Sequence, residues 1–222
     1  MSQDFPEYHF HIATPDLFEQ NEDKIISGGP TWHGAAVVWH DDFHSLVTPL
    51  PVSHDRFVAV SLSFSSLCNI LAISLYAPTS GKDDNFLECI NFLADFLSSH
   101  TPDHSCTIIG TDSNCSPKSS KRRQLAWANF QKEFNLQIYS TELPSFHHNN
   151  GSSESCIDYF VSSNCPIKEL KQICTLDSPL NFSSHDPIIA SLEVLSKKTD
   201  APSKFSQTYE NFILIKFPGR KL

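Results

Sequence analysis

"NFSSHDPIIAS", residues 181–191, opens polar, passes through His185-Asp186-Pro187 and ends in the apolar run of a strand. A histidine at the mouth of a buried strand stands at a sheet edge, where strands fix positions and loops admit a ligand. Whether it marks a site depends on how the other strands of the chain stop.

Several stop in the same way. "SCIDYFVSS" (155–163) is strand-like and carries Asp158 ahead of Tyr-Phe-Val, and "CTIIGTDSN" (106–114) is a short apolar strand that ends in Asp112 and Asn114. "FVAVSLSF" (57–64) alternates Val58, Val60, Leu62 and Phe64 with smaller residues, the period of a strand with one buried face. "NILAISLYAP" (69–78) follows after a short link, so the two predict a hairpin, and the second ends at Tyr76. Between these strands, "DDNFLECINFLADFLSSH" (83–100) places Phe86, Ile90, Leu93 and Leu97 at helical spacing behind acidic residues suited to a helix start. "RQLAWANFQKEF" (123–134) brings Trp127, Phe130 and Phe134 onto one helical face. "GGPTWHGAAVVWH" (28–40) reads as a Gly-rich turn entering a strand. This order of strands, helices and polar loops predicts a mixed α/β sandwich over residues 1–195. Residues 196–222 lose periodicity and read as a tail or linker.

Composition narrows the class. The chain has 222 residues, 40% of them apolar with 17 Phe, enough for a sizeable core. No run reaches the roughly 18 apolar residues of a membrane helix, and "MSQDFPEYHF" lacks the order of a secretion signal. The expected setting is nuclear or cytoplasmic, not secreted and not membrane-bound. Seven scattered cysteines without a CxxC pair indicate neither a disulfide framework nor a zinc site. The net charge of −9 opposes non-specific nucleic-acid binding, so any such contact needs a local patch. "KSSKRR" supplies the candidate, with Lys121, Arg122 and Arg123 as substrate contacts. His147 and His148 read as part of a solvated loop, and His33, His40 and His44 show no partner pattern.

Asp, Asn and His are ordinary turn residues singly, but together they carry chemistry. Asp158 can hold the tautomer of His185. Asp112 and Asn114 lie two apart, so on an extended segment they face the same way and suit a hard cation, a water or a phosphate oxygen. Tyr76 adds a donor.

The series "LYAP", "IIGTDSN", "SCIDYF" and "SSHDPI", in this order, resembles the endonuclease/exonuclease/phosphatase superfamily, and most closely the endonuclease domain of non-LTR, LINE-like retrotransposons. The resemblance covers roughly residues 28–195 and implies a two-sheet α/β sandwich with a metal-dependent phosphodiesterase site at one edge. It further implies that His185 faces the scissile phosphate, Asp158 orients it, Asp112 handles the attacking water, and Asn114 and Tyr76 contact the phosphate. Mg²⁺ or Mn²⁺ would be the cofactor and DNA the partner.

Two departures follow from the same comparison. The family opens with a strand carrying Asn and a helix whose Glu binds the metal; neither has a counterpart here, so the chain is expected to be N-terminally incomplete, without that first strand and helix. In "SSHDPI", Ser184 stands where the family has the Asp before the His, and a neutral hydroxyl does not replace a carboxylate on a hard cation. Asp186 and Asp112 are then the candidate metal carboxylates, and weak affinity is expected. Three readings stay open: an endonuclease that nicks DNA, a phosphatase of the same superfamily, and a mobile-element remnant without turnover.

Overall fold

A computed structural model describes residues 7–13, 35–65, 68–79, 81–116, 119–141, 143–147, 154–163, 167–172, 184–186, 188–192 and 211–212. The chain order is β1 (Tyr8–Ile12), β2 (Ala36–His40), β3 (Val47–Leu50), β4 (Phe57–Ser65), β5 (Cys68–Tyr76) and α1 (Asp83–His100). It continues through β6 (Cys106–Asp112), α2 (Lys121–Glu133), β7 (Gln137–Tyr139), β8 (Phe146–His147), β9 (Glu154–Ser155) and β10 (Asp158–Ser163). β11 (Ile167–Gln172), β12 (Ile188–Leu192) and β13 (Asn211–Phe212) follow.

The central sheet has the order β3-β4-β5-β6-β10-β7. The predicted hairpin is β4 and β5, antiparallel from Phe57↔Leu75 onward. β5 and β6 run parallel, as a crossover through α1 requires. Acidic Asp83 and Asp84 occupy the first turn of α1, complementing its dipole, and Phe86, Ile90, Leu93 and Leu97 are all buried. In α2, Ser120 caps the N-terminus by accepting from the Arg123 N–H at 3.2 Å.

Alternation along each strand assigns the two faces of this sheet. Leu71, Ile73 and Leu75 of β5, Ile109 of β6, and Tyr159 and Val161 of β10 pack with α1 and α2. Residues of the other parity face a second β layer: Ile70, Ile108 and Phe160 meet Ile188 and Ala190 of β12. Val58, Val60 and Ala72 meet Val37 and partly buried Trp39 of β2. Both inner faces are thus apolar, as a sandwich requires. In the second layer, β1 pairs with β2, and β11-β12-β13 form a three-stranded sheet.

The predicted α/β sandwich is therefore the observed one. β1, β3, β7, β8, β9 and β11 are short strands that periodicity alone did not pick out. Within the segment expected to be a linker, Asn211–Phe212 pairs with Ser191 and Leu192 and so joins a sheet. Trp32, His33 and His148 lie outside the described residues. The free cysteines among the described residues are Cys89, Cys106, Cys115 and Cys156. No helix among the described residues is long and apolar enough to cross a membrane.

Candidate active site

Strand register assembles the site. Asp112 at the end of β6 is opposite Tyr76 at the end of β5 and Asp158 at the start of β10. All three share the parity of Ile70, Ile108 and Phe160, so their side chains lie on the face toward β12. His185 immediately precedes β12. An antiparallel bridge to Phe146 of β8 sets its height, reinforced by Asp186 N–H donating to Ser145 O at 2.7 Å and His147 N–H donating to Ser184 O at 2.8 Å. The sequence-distant His185, Asp158 and Asp112 thus converge, with ligand-type atoms all within 4.8 Å of one another.

His185 Nδ1 donates to Asp158 Oδ2 at 2.9 Å, which fixes the tautomer because a carboxylate only accepts. Burial pulls the basicity of the ring down, but the hydrogen bond to Asp158 and the charges of Asp158, Asp112 and Asp186 outweigh it, and its pKa is raised. Asp112 is 2% exposed. Burial, then the neighbouring Asp158 charge, push its carboxyl up to about 7, against the pull of His185 and the Asn114 N–H.

Ser145 is a site residue that the sequence did not signal. It is fully buried, donates through Oγ to Asp158 Oδ2 at 2.8 Å and accepts from the Asp158 N–H at 3.1 Å. Its hydroxyl therefore holds the carboxylate that holds His185. A lone serine in "LPSF" has no distinguishing pattern; only the pairing of β8 with residues 184–186 brings it here.

Asn114 corrects the expectation of an extended Asp112-Ser113-Asn114 segment. Its φ is 44°, in the left-handed region that Asn tolerates better than most residues. The strand stops at Asp112, and the turn closes with the Asn114 N–H donating to Asp112 Oδ1 at 3.1 Å. Asn114 Nδ2 donates to Ala77 O at 2.8 Å, tying the loop after β6 to the loop after β5. Tyr76 is half-buried, with the Arg56 guanidinium 5.4 Å from its ring centre.

The basic run divides. Lys121 is exposed, and exposed Arg122 pairs with Asp84 at 2.8 Å. Arg123 is no surface contact: it is 1% exposed, with Nη1 donating to Asn114 O at 2.7 Å and Nη2 to Thr79 O at 2.9 Å. Helix periodicity places it beside Trp127 on the buried face, which a count of basic residues does not reveal.

His147 likewise is no solvated loop residue. It ends β8, with Nε2 3.1 Å from Asp186 Oδ2 and Nδ1 3.3 Å from Glu154 Oε1. Asp186 is thus joined to His147, and the compact acid and histidine cluster consists of Asp112, Asp158 and His185.

These residues fit a hard divalent cation in part. Two buried carboxylates adjoin, and Asp158 Oδ1 is buried without a hydrogen-bond partner among the described residues, which leaves it open to a positive group. The elevated Asp112 carboxyl reflects its burial first and the neighbouring Asp158 charge second.

No protein-family model matches the sequence, and no curated protein matches it. Solved structures do resemble the chain. The endonuclease domain of TRAS1, a telomere-specific non-LTR retrotransposon, superposes with a TM-score of 0.58 at 14% identity, covering 85% of this chain and 81% of that one. The 3′ phosphatase NExo from Neisseria, bound to a product DNA hairpin, gives 0.59 at 15% identity over 86% of this chain and 81% of its own. An endonuclease/exonuclease/phosphatase from Bacteroides vulgatus gives 0.60 at 13% identity over 86% and 78%. The architecture and these neighbours agree: the chain has the fold of the endonuclease/exonuclease/phosphatase proteins.

Proposed function

We propose that this protein hydrolyses phosphodiesters, with DNA as the substrate class, through His185, Asp158 and Asp112. The observation that carries this reading is the buried Asp158–His185 pair held beside Asp112 at the ends of adjacent strands. Asp112, buried at the end of β6 beside Asp158 and His185, accepts a proton from the attacking water. The water oxygen then forms a bond to phosphorus as the bond to the leaving oxygen breaks; that oxygen takes up a proton from solvent, and Asp112 returns its own to solvent. His185, held through Nδ1 by Asp158 and made more basic, presents a positive ring to the phosphate charge as it develops. Tyr76, at the end of β5 opposite Asp112, would contact the phosphate, whereas the Asn114 side chain is committed to Ala77 O. Mg²⁺ or Mn²⁺, held by Asp112 and Asp158 Oδ1, would supply Lewis-acid polarisation of a phosphoryl oxygen.

The test is nicking of supercoiled plasmid by the purified chain with Mg²⁺ or Mn²⁺. His185→Ala and Asp112→Asn should each lower turnover by about 10²–10⁴-fold, and EDTA should stop it. Undiminished turnover in both variants would overturn the assignment.

A second reading, the same fold without turnover, is favoured by the engagement of Asp186 with His147 and by the neutral Ser184. Absence of nicking by the wild-type chain at saturating metal would decide for it, and hydrolysis of a phosphorylated small molecule but not plasmid would decide for a phosphatase.

A further inference from the structure

Arg123 is among the largest fully buried side chains of the described protein. A guanidinium out of water is unfavourable unless its donors are engaged, and burial here lowers its pKa against the opposing pull of Asp83. What it engages is specific. Nη1 donates to Asn114 O, nine positions away, and Nη2 to Thr79 O, forty-four positions away. Nε lies 3.4 Å from Asp83 Oδ1 as an ion pair, and the guanidinium carbon is 4.3 Å from the Phe86 ring centre.

Those two carbonyls belong to the loops that leave β5 and β6 just past Tyr76 and Asp112. Both loops have left the sheet ladder, so their carbonyls need another partner. The Asn114 side chain crosses to Ala77 O, while its own carbonyl accepts from Arg123 Nη1. The first turns of both helices converge on the same point, since Ser120 Oγ also donates to Asp83 Oδ2. A planar fork is suited to two carbonyls from separate loops, whereas a lysine ammonium offers a point charge on a flexible stem.

We propose that Arg123 is a positioning residue that clamps the β5 and β6 exit loops together and so sets the placement of Tyr76, Asp112 and Asn114; this deepens, and rests on, the phosphodiesterase reading. It holds the site from behind and touches no substrate.

The test compares Arg123→Lys, which keeps the charge, with Phe130→Leu, a core substitution two turns further along the same helix that leaves the Arg123 hydrogen bonds to both loops in place. Backbone amide NMR of the two full-length variants is the first readout. Arg123→Lys should shift the amides of Ala77, Thr79 and Ser113–Cys115 while leaving β1 and β2 unmoved, and Phe130→Leu should not disturb those loops. The second readout is plasmid nicking, where Arg123→Lys should lower kcat by about 10–100-fold with KM within about twofold, the signature of misplacement. Loop amides as in wild type, or identical loop changes in both variants, would overturn the clamp. If the wild-type chain does not turn over, the phosphodiesterase reading fails while the amide shifts alone still decide for or against the clamp.

Discussion

Asp112 couples the stability of the fold to pH. Its carboxyl is raised to about 7 in the fold, chiefly by burial, while the unfolded chain titrates near 3.8. The native state therefore holds a proton that the unfolded state releases, and stability falls as pH rises from about 4 to about 7, then levels. His185, whose pKa is also raised, acts in the same direction: the stabilisation from its charged pairing with Asp158 is lost as pH rises through its folded value. Thermal unfolding across pH in EDTA should show this decline. Asp112→Asn should flatten it and be more stable than wild type at pH 8, by roughly 1–3 kcal/mol. At Ser145 the expectation is opposite in sign. Ser145→Ala leaves the Asp158 N–H without its acceptor and Oδ2 without one of its donors, and should destabilise by about 1–3 kcal/mol in urea unfolding.

The elements owe their stability to one-sided burial. α1 packs Phe86, Cys89, Ile90, Leu93 and Leu97 on the sheet, each within a few per cent of full burial. Leu93→Ala should lower unfolding free energy by about 2–5 kcal/mol, depending on how far the site collapses. At the start of α2 the effect is smaller: Ser120→Ala removes a cap and should lower it by about 1 kcal/mol. Both are read by denaturant unfolding. The short β8 behaves differently. Its contribution to the core is slight, yet its pairing with residues 184–186 delivers His185 to Asp158, so its value lies in placement.

Across the whole molecule, the site lies between two β layers and draws its groups from the ends of the strands. A ligand that binds only the native arrangement must stabilise the entire fold. Mn²⁺ at 100 times its dissociation constant should raise stability by about 2.7 kcal/mol, read as an upward shift of Tm that Asp112→Asn abolishes. The sandwich itself was legible in the sequence because its elements are periodic: alternation in β4 and β5, and the helical spacing of Phe86, Ile90, Leu93 and Leu97. The residues His185, Asp158 and Asp112, which the fold brings together, stood out because polar residues interrupt apolar strands at their ends. Ser145 and His147 were not, since two-residue strands carry no period, and their partners are brought near only by pairing across the chain. Arg123 was legible as a charge but not as a buried one. The sequence alone thus determined the longer strands β4, β5, β6, β10 and β12 and the helices α1 and α2, because local period and residue chemistry are properties of adjacent positions. Only the tertiary structure decided that Asp186 turns to His147, that Ser145 supports Asp158 and that Arg123 joins two loops, because these follow from register and packing between segments far apart in the chain.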